Sequence, residues 1–343
     1  MSEFENTREE GGRRSFVRRT LLRGAALGAT APLLPTAAGA AEGTERSGGA
    51  VPGVRADSAS LRWLGTSGWR FDIGGRGVLF DPYITRFETG LFGPKGGFDP
   101  ATELICDEEL VARHAGRPET VLVSHTHWDH VNDVPYIAKS TGARVFGTET
   151  TYHVLRSLGV DAGQISVVKG GEVLDFGDYT VEVVSSRHSR NAKWSYFAPG
   201  TLNAPPPRAP RTVSDLPEGD TLAFQLSVAG GPSVFLMGAS DIDERAVAGM
   251  RPDVLMAAVP SSRATHRYVP RLLDALGGPA TVVPVHWDHF ERPLSGPPLR
   301  DPVMDLDGFV AEVRRCSPTS RVVVPDYATA FGADMRPGPA ATS

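Results

Sequence analysis

The chain has 343 residues, 41% of them hydrophobic, which is enough for one large domain or two small ones. Its formal net charge is −5, from 35 Lys and Arg against 40 Asp and Glu, so no overall basic field attracts nucleic acid or an anionic membrane. The 38 Gly and 28 Pro residues favour many turns and argue against a helical bundle.

Residues 1–40 have the pattern of an export signal. The pair Arg13 and Arg14 is followed by Phe16, which resembles a twin-arginine signal, and a weakly apolar stretch covers residues 24–34. An Ala-Gly-Ala sequence then offers a cleavage site. Because the apolar stretch is too short and interrupted to span a bilayer, we expect export through the twin-arginine machinery, without a stable membrane span. The destination is the periplasm, the cell surface or the exterior. A disordered basic N-terminus is the alternative interpretation.

The rest of the chain is predicted to form one folded domain. A linker without periodicity covers residues 41–58, the domain covers 59–332 with an irregular insertion at 190–220, and a loose tail covers 333–343. Short apolar runs bounded by turn residues predict strands at 61–64, 69–73, 78–80, 120–123, 144–146, 165–168, 173–176, 179–185, 221–228, 233–237, 254–258, 281–285 and 321–324. Helical periodicity predicts helices at 131–140, 148–158, 268–276 and 307–315.

These elements indicate an α/β fold class. Hairpin-like strands are followed by alternating strands and helices, and this order occurs twice along the domain. A core of two packed sheets with helices outside accommodates that order. Other α/β layer folds also accommodate it.

Four potential metal ligands, His125, His127, Asp129 and His130, directly follow the predicted strand 120–123. Residues two apart in an extended turn point the same way, so the first two histidines can bind one ion together, and the other pair a second ion beside it. Such ligands suit zinc, and two ions about 3.5–4 Å apart activate a bridging water. The chain has only nine histidines, so this cluster indicates a metal site. A buried polar turn is the alternative.

The cluster resembles the H-x-H-x-D-H motif of the metallo-β-lactamase superfamily. Later motifs of that family match in the same order, each at the end of a predicted strand, at His188, Asp241 and His286, and an early motif matches at Asp81. The resemblance covers about residues 60–330. It implies a four-layer αββα sandwich with two metal ions in a groove at one edge of the sheets.

The resemblance also implies a role for each matched residue. A metal-bridging hydroxide acts as the nucleophile, and Asp129 orients it and carries its proton. The ions are expected to be two zinc ions, with manganese or iron as alternatives. The implied sets are His125, His127 and His188 for the first ion, Asp129, His130 and His286 for the second, Asp241 bridging both, and Asp81 supporting the ligands from behind. Asp243 and His289 are the alternatives to Asp241 and His286.

The sequences around Trp63, Asp81 and His286 are most similar to the branch with ascorbate-phosphate lactonases and phospholipase D-like enzymes. We therefore expect a small-molecule substrate, with a phosphodiester or phosphorylated compound as the leading hypothesis. A lactonase or amidase, including one that opens β-lactams, is the alternative. A module that binds metal or a partner without turnover is the alternative from another class. Nucleic acid is not expected as a partner, given the lack of a basic patch.

Two further segments carry candidate substrate residues. Trp194 and Tyr196 lie in the Pro-rich insertion after His188, which is positioned to form an aromatic lid. Arg263 and His266 lie in a loop after a predicted strand, where Arg263 is expected to bind substrate and His266 to take part in catalysis. The alternatives are a surface loop that touches nothing and a helix-capping loop with solvated charges.

Overall fold

Two seven-stranded β-sheets form the centre of the protein. The structure is a computed structural model that describes residues 59–93, 97–191 and 193–338. The predicted export signal at 1–40 and the linker at 41–58 lie outside the described residues.

Strands and helices alternate along most of the described chain. The strands are β1 Ala59–Trp63, β2 Trp69–Ile73, β3 Arg76–Phe80, β4 Thr120–Leu122, β5 Arg144–Gly147, β6 Ile165–Val167, β7 Val173–Asp175, β8 Tyr179–Ser185, β9 Leu222–Val228, β10 Ser233–Met237, β11 Val254–Ala258, β12 Thr281–Val285, β13 Arg321–Val322 and β14 Ala330–Gly332. The α-helices are α1 Glu108–Ala115, α2 Trp128–Val131, α3 Val134–Thr141, α4 Glu149–Ser157, α5 Tyr268–Ala275 and α6 Leu306–Cys316. None of these described helices is long and apolar enough to cross a membrane.

Each sheet has an antiparallel half and a parallel half. The first sheet has the strand order β14-β1-β2-β3-β4-β5-β6, antiparallel as far as β3 and parallel from there. The second has the order β13-β12-β11-β10-β9-β8-β7, with parallel pairing from β13 to β10 and antiparallel pairing from β10 to β7. Parallel neighbours need crossover connections, and a helix lies in each of these connections except the one between β10 and β11.

Alternating side chains of the first sheet face two different cores. Phe80 on β3 and Leu122 on β4 belong to the core shared with the second sheet, where Phe80 meets Phe224 with ring centroids 6.0 Å apart. Leu79 and Val121, one residue earlier on each strand, belong to a second core that includes α1, α3 and α4. Because strand side chains alternate between faces, β3 and β4 are buried on both sides.

The second sheet is also covered by helices. Leu272 of α5 and Phe309 of α6 are buried in the same core as β11 and β12, and every residue of those two strands is buried. The layers are therefore helix, sheet, sheet and helix, which confirms the predicted αββα sandwich.

The predicted helix at 131–140 is two helices in the structure, α2 and α3, separated at Asn132 and Asp133. The Asp133 carboxylate is buried and accepts hydrogen bonds from the main-chain N–H of Ile84, at 2.6 Å, and of Thr85, at 2.8 Å. These hydrogen bonds fix the loop after β3. Pro135 lies in the first turn of α3, where its missing N–H costs no hydrogen bond.

Residues 333–338, which the sequence predicts to belong to a loose tail, directly follow a short strand and pack against the fold. β14 adds to the first sheet by pairing with β1, and Phe331 forms a further antiparallel bridge with Pro337. Met335 is fully buried. The segment is short and interrupted by Gly and Pro, so its alternation is too brief to indicate a strand.

Candidate metal centre

The H-x-H-x-D-H cluster lies where β4 leaves the first sheet. The strand ends at Leu122, and the chain then runs through His125 and His127 into the short helix α2, which contains Asp129 and His130. All four of these side chains are buried, although three are polar rings and one is a carboxylate. Buried ionisable groups need compensating partners, so their close grouping indicates a functional site.

His125, His127 and His188 form the first group of candidate ligands. His188 follows β8 in the neighbouring sheet, and each pair of the three rings has its centroids 4.8 Å apart. One ligand atom from each ring lies within 4.8 Å of the other two. Two sheets therefore contribute to one three-nitrogen group.

Each of these three rings uses one nitrogen for a neighbour and leaves the other free for the group. His125 Nδ1 lies 2.9 Å from Ser124 Oγ, His127 Nε2 donates to the main-chain oxygen of Phe197 at 2.9 Å, and His188 Nδ1 donates to that of Ser189 at 2.8 Å. His125 Nε2 is buried and has no hydrogen-bond partner among the described residues. In metal-binding histidines, one ring nitrogen binds the ion and the other forms a hydrogen bond that orients the ring. These three residues show that arrangement, so they fit a metal ion.

Asp129, His130 and His286 form the second group. Asp129 Oδ2 lies 3.1 Å from His286 Nε2 and 3.6 Å from His130 Nε2. The rings of His125 and His130 have centroids 4.0 Å apart, so the two groups are adjacent. The donor set of five imidazoles and one carboxylate matches the ligand types that zinc takes in proteins.

Asp81 connects the two groups from behind. It follows β3, and its carboxylate accepts hydrogen bonds from Ser124 N at 2.7 Å and Ser124 Oγ at 2.5 Å and from His130 Nδ1 at 2.8 Å. A Cβ atom at Gly238 would clash with Ser124 Oγ and crowd Asp81, so glycine is required beside this network. The geometry gives Asp81 the supporting position that the sequence predicts.

His286 is fixed by a buried ion pair beneath its loop. It directly follows β12 with φ of 60°, and its N–H donates to Thr66 O at 2.8 Å. Two residues later, Asp288 pairs with Arg86, and both side chains are fully buried. Asp288 also accepts from Thr66 N at 3.0 Å and Tyr327 Oη at 2.6 Å. The predicted alternative ligand, His289, instead packs its ring on Phe92 with a centroid distance of 4.3 Å.

Burial keeps the first group neutral. It lowers the pKa of His127 to about 4 and, together with the neighbouring His127 ring, the pKa of His188 to about 3. Burial and the adjacent His130 and His127 rings hold the pKa of His125 well below its usual value. Neutral imidazoles have a free lone pair at neutral pH, which is the form that binds a metal ion.

The second group has the opposite electrostatics. Burial alone would raise the pKa of Asp129, but the neighbouring His130 and His286 outweigh it and hold that pKa below its usual value. Burial alone would lower the pKa of His130, but the carboxylates of Asp129 and Asp81 raise it. The second group therefore contains an ionised carboxylate, Asp129, which favours the protonated form of the neighbouring His130.

The structure does not place Asp241 with the ligands. Its Oδ1 accepts from Ile242 N at 2.8 Å and from Arg271 Nη1 at 3.2 Å, and it belongs to neither group. β10 ends at Met237, and the residues after it that line the site are Gly238 and Ala239. The prediction of a bridging Asp241 is therefore corrected, because two more residues carry the chain past the site. The alternative, Asp243, pairs with Arg187 at 3.1 Å instead.

The candidate substrate residues divide into one at the site and three away from it. Tyr196 stacks on His188 with a centroid distance of 4.8 Å. Trp194 is 74% exposed and lines only a neighbouring cavity. Arg263 pairs with Asp305, and His266 is exposed on the same loop. Neither side chain lines the metal cavity. The loop reaches the cavity at Ser261 and then leads away from it.

The insertion covers the site, as a lid would. Glu218 accepts a main-chain hydrogen bond from Thr126, inside the metal motif, at 2.9 Å. Phe197 contacts Trp128, with ring centroids 5.5 Å apart, and its main-chain oxygen meets His127. Three residues outside the insertion also contribute to the site and are not predicted from the sequence. They are Ser124, which contacts Asp81 and His125, and Phe98 and Phe290, which line the cavity. Ser124 directly precedes the cluster, which was an available signal, whereas Phe98 has no local signal at all.

The ligands line one wall of a cavity of about 350 Å³. A family model described as a beta-lactamase superfamily domain matches residues 60–286, which includes every ligand of both groups. The chain belongs to the metallo-β-lactamase superfamily. The predicted membership of this superfamily is confirmed.

Relatives in this superfamily are named as metal-dependent hydrolases. A UPF0173 metal-dependent hydrolase from Methylobacterium nodulans is 28% identical over 261 residues, covering 74% of this chain and 94% of the relative. One from Myxococcus xanthus is 26% identical over 326 residues, covering 90% and 96%. The chain is a metal-dependent hydrolase of the metallo-β-lactamase superfamily. The lactonase and phospholipase D-like branch stays a prediction.

The fold is also found in a solved structure of a metallo hydrolase. Igni18, described as a novel metallo hydrolase from Ignicoccus hospitalis, has a TM-score of 0.51 and 19% identity, covering 80% of this chain and 97% of its own. At this identity the likeness shows the fold alone.

Proposed function

We propose that this protein is a dinuclear hydrolase that uses two divalent ions, most simply zinc, to cleave a small molecule at a carbonyl centre. The observation that carries the proposal is the adjacency of two three-residue ligand groups on one cavity wall. Three protein ligands per ion leave coordination positions open, which is characteristic of catalytic rather than structural zinc sites. Manganese and iron are the alternatives, since imidazole and carboxylate ligands also suit them.

A pair of ions in these groups would lower the pKa of water to about 7 and polarise the scissile bond. The protein's own residues orient that chemistry. Asp129 is ionised at neutral pH, so its carboxylate can accept a proton from the attacking water. Asp81 and Ser124 fix the histidine rings from behind. Tyr196 and Phe197 cover the cavity and exclude bulk water.

The second part of the proposal is the type of bond that is cleaved in the substrate. The sequence predicts a phosphodiester or phosphorylated compound first and a lactone or amide second. Among the described residues that line the metal cavity there is no Lys or Arg. Phosphate recognition normally uses such cations or several main-chain N–H groups. This lining favours the carbonyl reaction over the phosphodiester reaction.

Metal content and a substrate panel test the proposal together. The full chain would be analysed for bound zinc, manganese and iron, then assayed on a lactone, a chromogenic cephalosporin and bis-p-nitrophenyl phosphate. About two ions per chain with EDTA-sensitive turnover of the lactone or cephalosporin is the expected result. Turnover of the phosphodiester alone would restore the sequence-based choice of substrate. A folded sample that binds no metal would contradict the dinuclear mechanism.

We also infer export through the twin-arginine pathway, from the Arg13 and Arg14 pair and the apolar stretch after it. Replacing both arginines by lysine keeps the charge and removes the recognised pair. We expect the unchanged chain to accumulate outside the cytoplasm in a bacterial host and the double variant to remain inside. Equal export of both proteins would contradict the inference.

A further inference from the structure

The metal cavity has an apolar wall beside its ligands. That wall is formed by Leu91, Phe98, Trp128, Phe197, Phe290 and Met304. Trp128 and Phe290 are almost fully buried, at 5% and 2% exposure, so they belong to the rigid core as well as to the wall. The wall draws on four separate parts of the described chain, namely the loop after β3, the motif helix α2, the insertion, and the segments after β12.

Aromatic contacts fix the shape of this wall. The ring of Phe197 packs edge-on against Phe98, with centroids 5.1 Å apart, and against Trp128, with centroids 5.5 Å apart. Phe290 contacts the ligand His286 with a centroid distance of 5.0 Å. Such edge-to-face packing restricts ring rotation. The apolar surface is therefore a preformed recess next to the ligands and not a loose lid surface.

The polar groups of the cavity outside the metal ligands are few and uncharged. They are the side chains of Ser189, Asn191, Ser195, Tyr196 and Ser261, which lie after β8, in the insertion or after β11. Hydroxyl and amide groups suit a neutral polar group on a ligand. The cavity combines a neutral polar edge, an apolar wall and a metal-ligand floor, which is the usual composition of a small-molecule site.

The cations near the site do not supply an anion pocket. Lys169, Arg187 and Arg190 line the neighbouring cavity beyond His188, but the described lining there also includes four carboxylates, Glu149, Glu218, Asp220 and Asp241. Arg187 already pairs with Asp243 at 3.1 Å. The acids outnumber the bases, so this cavity gives no net attraction for a phosphate group.

We propose that the apolar recess selects a neutral ester, lactone or amide that carries a small apolar acyl group. The acyl chain lies against Phe98, Phe197 and Phe290, and the carbonyl faces the two ligand groups. The inference rests on the proposed hydrolase function and adds its substrate class.

The reaction balances as a simple hydrolysis. The oxygen of one water molecule bonds to the carbonyl carbon, and the acyl C–O bond of an ester or lactone, or the C–N bond of an amide, breaks. One proton of the water goes to the departing oxygen or nitrogen, and the other goes to solvent. The products are a carboxylate and an alcohol or amine, and no oxidant or reductant is involved.

The test compares acyl chain lengths in the metal-loaded full chain. p-Nitrophenyl acetate, butyrate and hexanoate are assayed with and without EDTA, beside bis-p-nitrophenyl phosphate. We expect the metal-dependent kcat/KM to rise by about fourfold per methylene buried, from acetate to butyrate, because that is the gain from apolar burial. We expect the phosphodiester to be turned over at least about tenfold less efficiently than butyrate.

Two lid variants identify the wall as the source of that preference. Phe197→Ala removes a ring from the recess and leaves the main-chain oxygen that meets His127. We expect it to reduce the butyrate-to-acetate ratio of kcat/KM by about tenfold through KM, with metal content unchanged. Trp194→Ala is the matched control, since it alters an exposed aromatic of the same insertion outside the metal cavity. Phe98→Ala repeats the test from outside the lid.

The outcomes separate this inference from the proposed function. A chain that binds about two ions but shows no chain-length preference, or prefers the phosphodiester, would overturn the substrate class and leave the dinuclear hydrolase standing. A folded chain without bound metal would overturn both. A loss of preference in Trp194→Ala equal to that in Phe197→Ala would also overturn the assignment of the recess.

Discussion

The main-chain oxygen of Phe197 lies 2.9 Å from Nε2 of His127, so the lid is hydrogen-bonded to a candidate metal ligand. A carbonyl oxygen only accepts, and Nε2 of His127 must therefore carry the proton. That is the neutral tautomer in which Nδ1 has its lone pair free for a metal ion. Metal binding and lid closure favour the same tautomer.

Metal removal should therefore loosen the insertion. Without an ion at Nδ1 the proton of His127 can occupy either nitrogen, and the hydrogen bond to Phe197 is weakened. We expect trypsin to cut after Arg190 or Lys193 roughly 2- to 10-fold faster after EDTA treatment, the factor for losing one hydrogen bond. Cleavage after Arg315 in α6 serves as the control. Equal rates with and without metal in the insertion would contradict the coupling.

His127→Ala tests the ligand assignment directly. The variant removes one of three nitrogens from the first group, and we expect it to lose at least one bound ion per chain and about 100-fold or more of activity. Metal analysis and kcat/KM are the measurements. His153→Ala is the matched control, because that histidine lies on α4 outside both groups, 3.7 Å from Glu149. Similar metal content and activity in the two variants would contradict the assignment.

The sequence predicts the ligands better than it predicts their surroundings. His125 to His130 lie together in the chain, so their grouping is local and visible. His188 and His286 were predicted from the resemblance to the superfamily, and each follows a strand with a clear apolar pattern. Asp241 was placed wrongly, because a strand pattern does not show which of several residues after its last apolar position turns inward. The structure leaves Ala239, not Asp241, beside the histidines.

Residues that act over long sequence separations were not predictable. The fully buried pair of Arg86 and Asp288 joins segments 202 residues apart, and neither residue has a local pattern that indicates burial. The contact of Phe98 with Phe197 depends on how the loop after β3 meets the insertion. Such contacts are determined by tertiary packing and not by periodicity.

Arg86→Met should destabilise the protein strongly. It leaves the Asp288 carboxylate buried without its cation, and we expect the free energy of unfolding to fall by about 3–5 kcal/mol in urea denaturation. Adding Asp288→Asn to this variant removes the uncompensated charge and should recover part of the loss. Arg300→Met, in an exposed pair with Asp307, should change stability by less than about 0.5 kcal/mol. Equal effects of the two single variants would contradict this account.

The thiol of Cys106 should be unreactive in the folded protein. Burial, followed by the nearby Asp133 carboxylate, raises its pKa to about 12. A raised thiol pKa means less thiolate, so at pH 8 only about one molecule in 10⁴ is ionised, and reaction should rise only near that pKa. In a Cys316→Ser background, iodoacetamide should modify the folded chain far more slowly than the urea-unfolded chain. Comparable rates at pH 8 would rule this out.

Ala239→Asp should strengthen binding of the more weakly held ion. Ala239 is 5% exposed and lines the same cavity as the five histidines, while among the described residues only Asp81 and Asp129 bring carboxylates to the ligand groups. The second group has Asp129, whereas the first has neutral rings alone, so the two ions should bind with unequal affinity. A carboxylate on the wall of this cavity supplies charge that both ions can share. We expect calorimetric zinc titration to show two distinct affinities in the unchanged chain. In Ala239→Asp the weaker one should tighten by about tenfold or more.

The metal-free variant should be less stable, because its new carboxylate is buried without a counter-ion. Ala239→Asn is the control, since it has nearly the same shape without the charge. If Asn tightened zinc binding as much as Asp, or if the unchanged chain bound two ions equally, the asymmetry of the centre would be wrong.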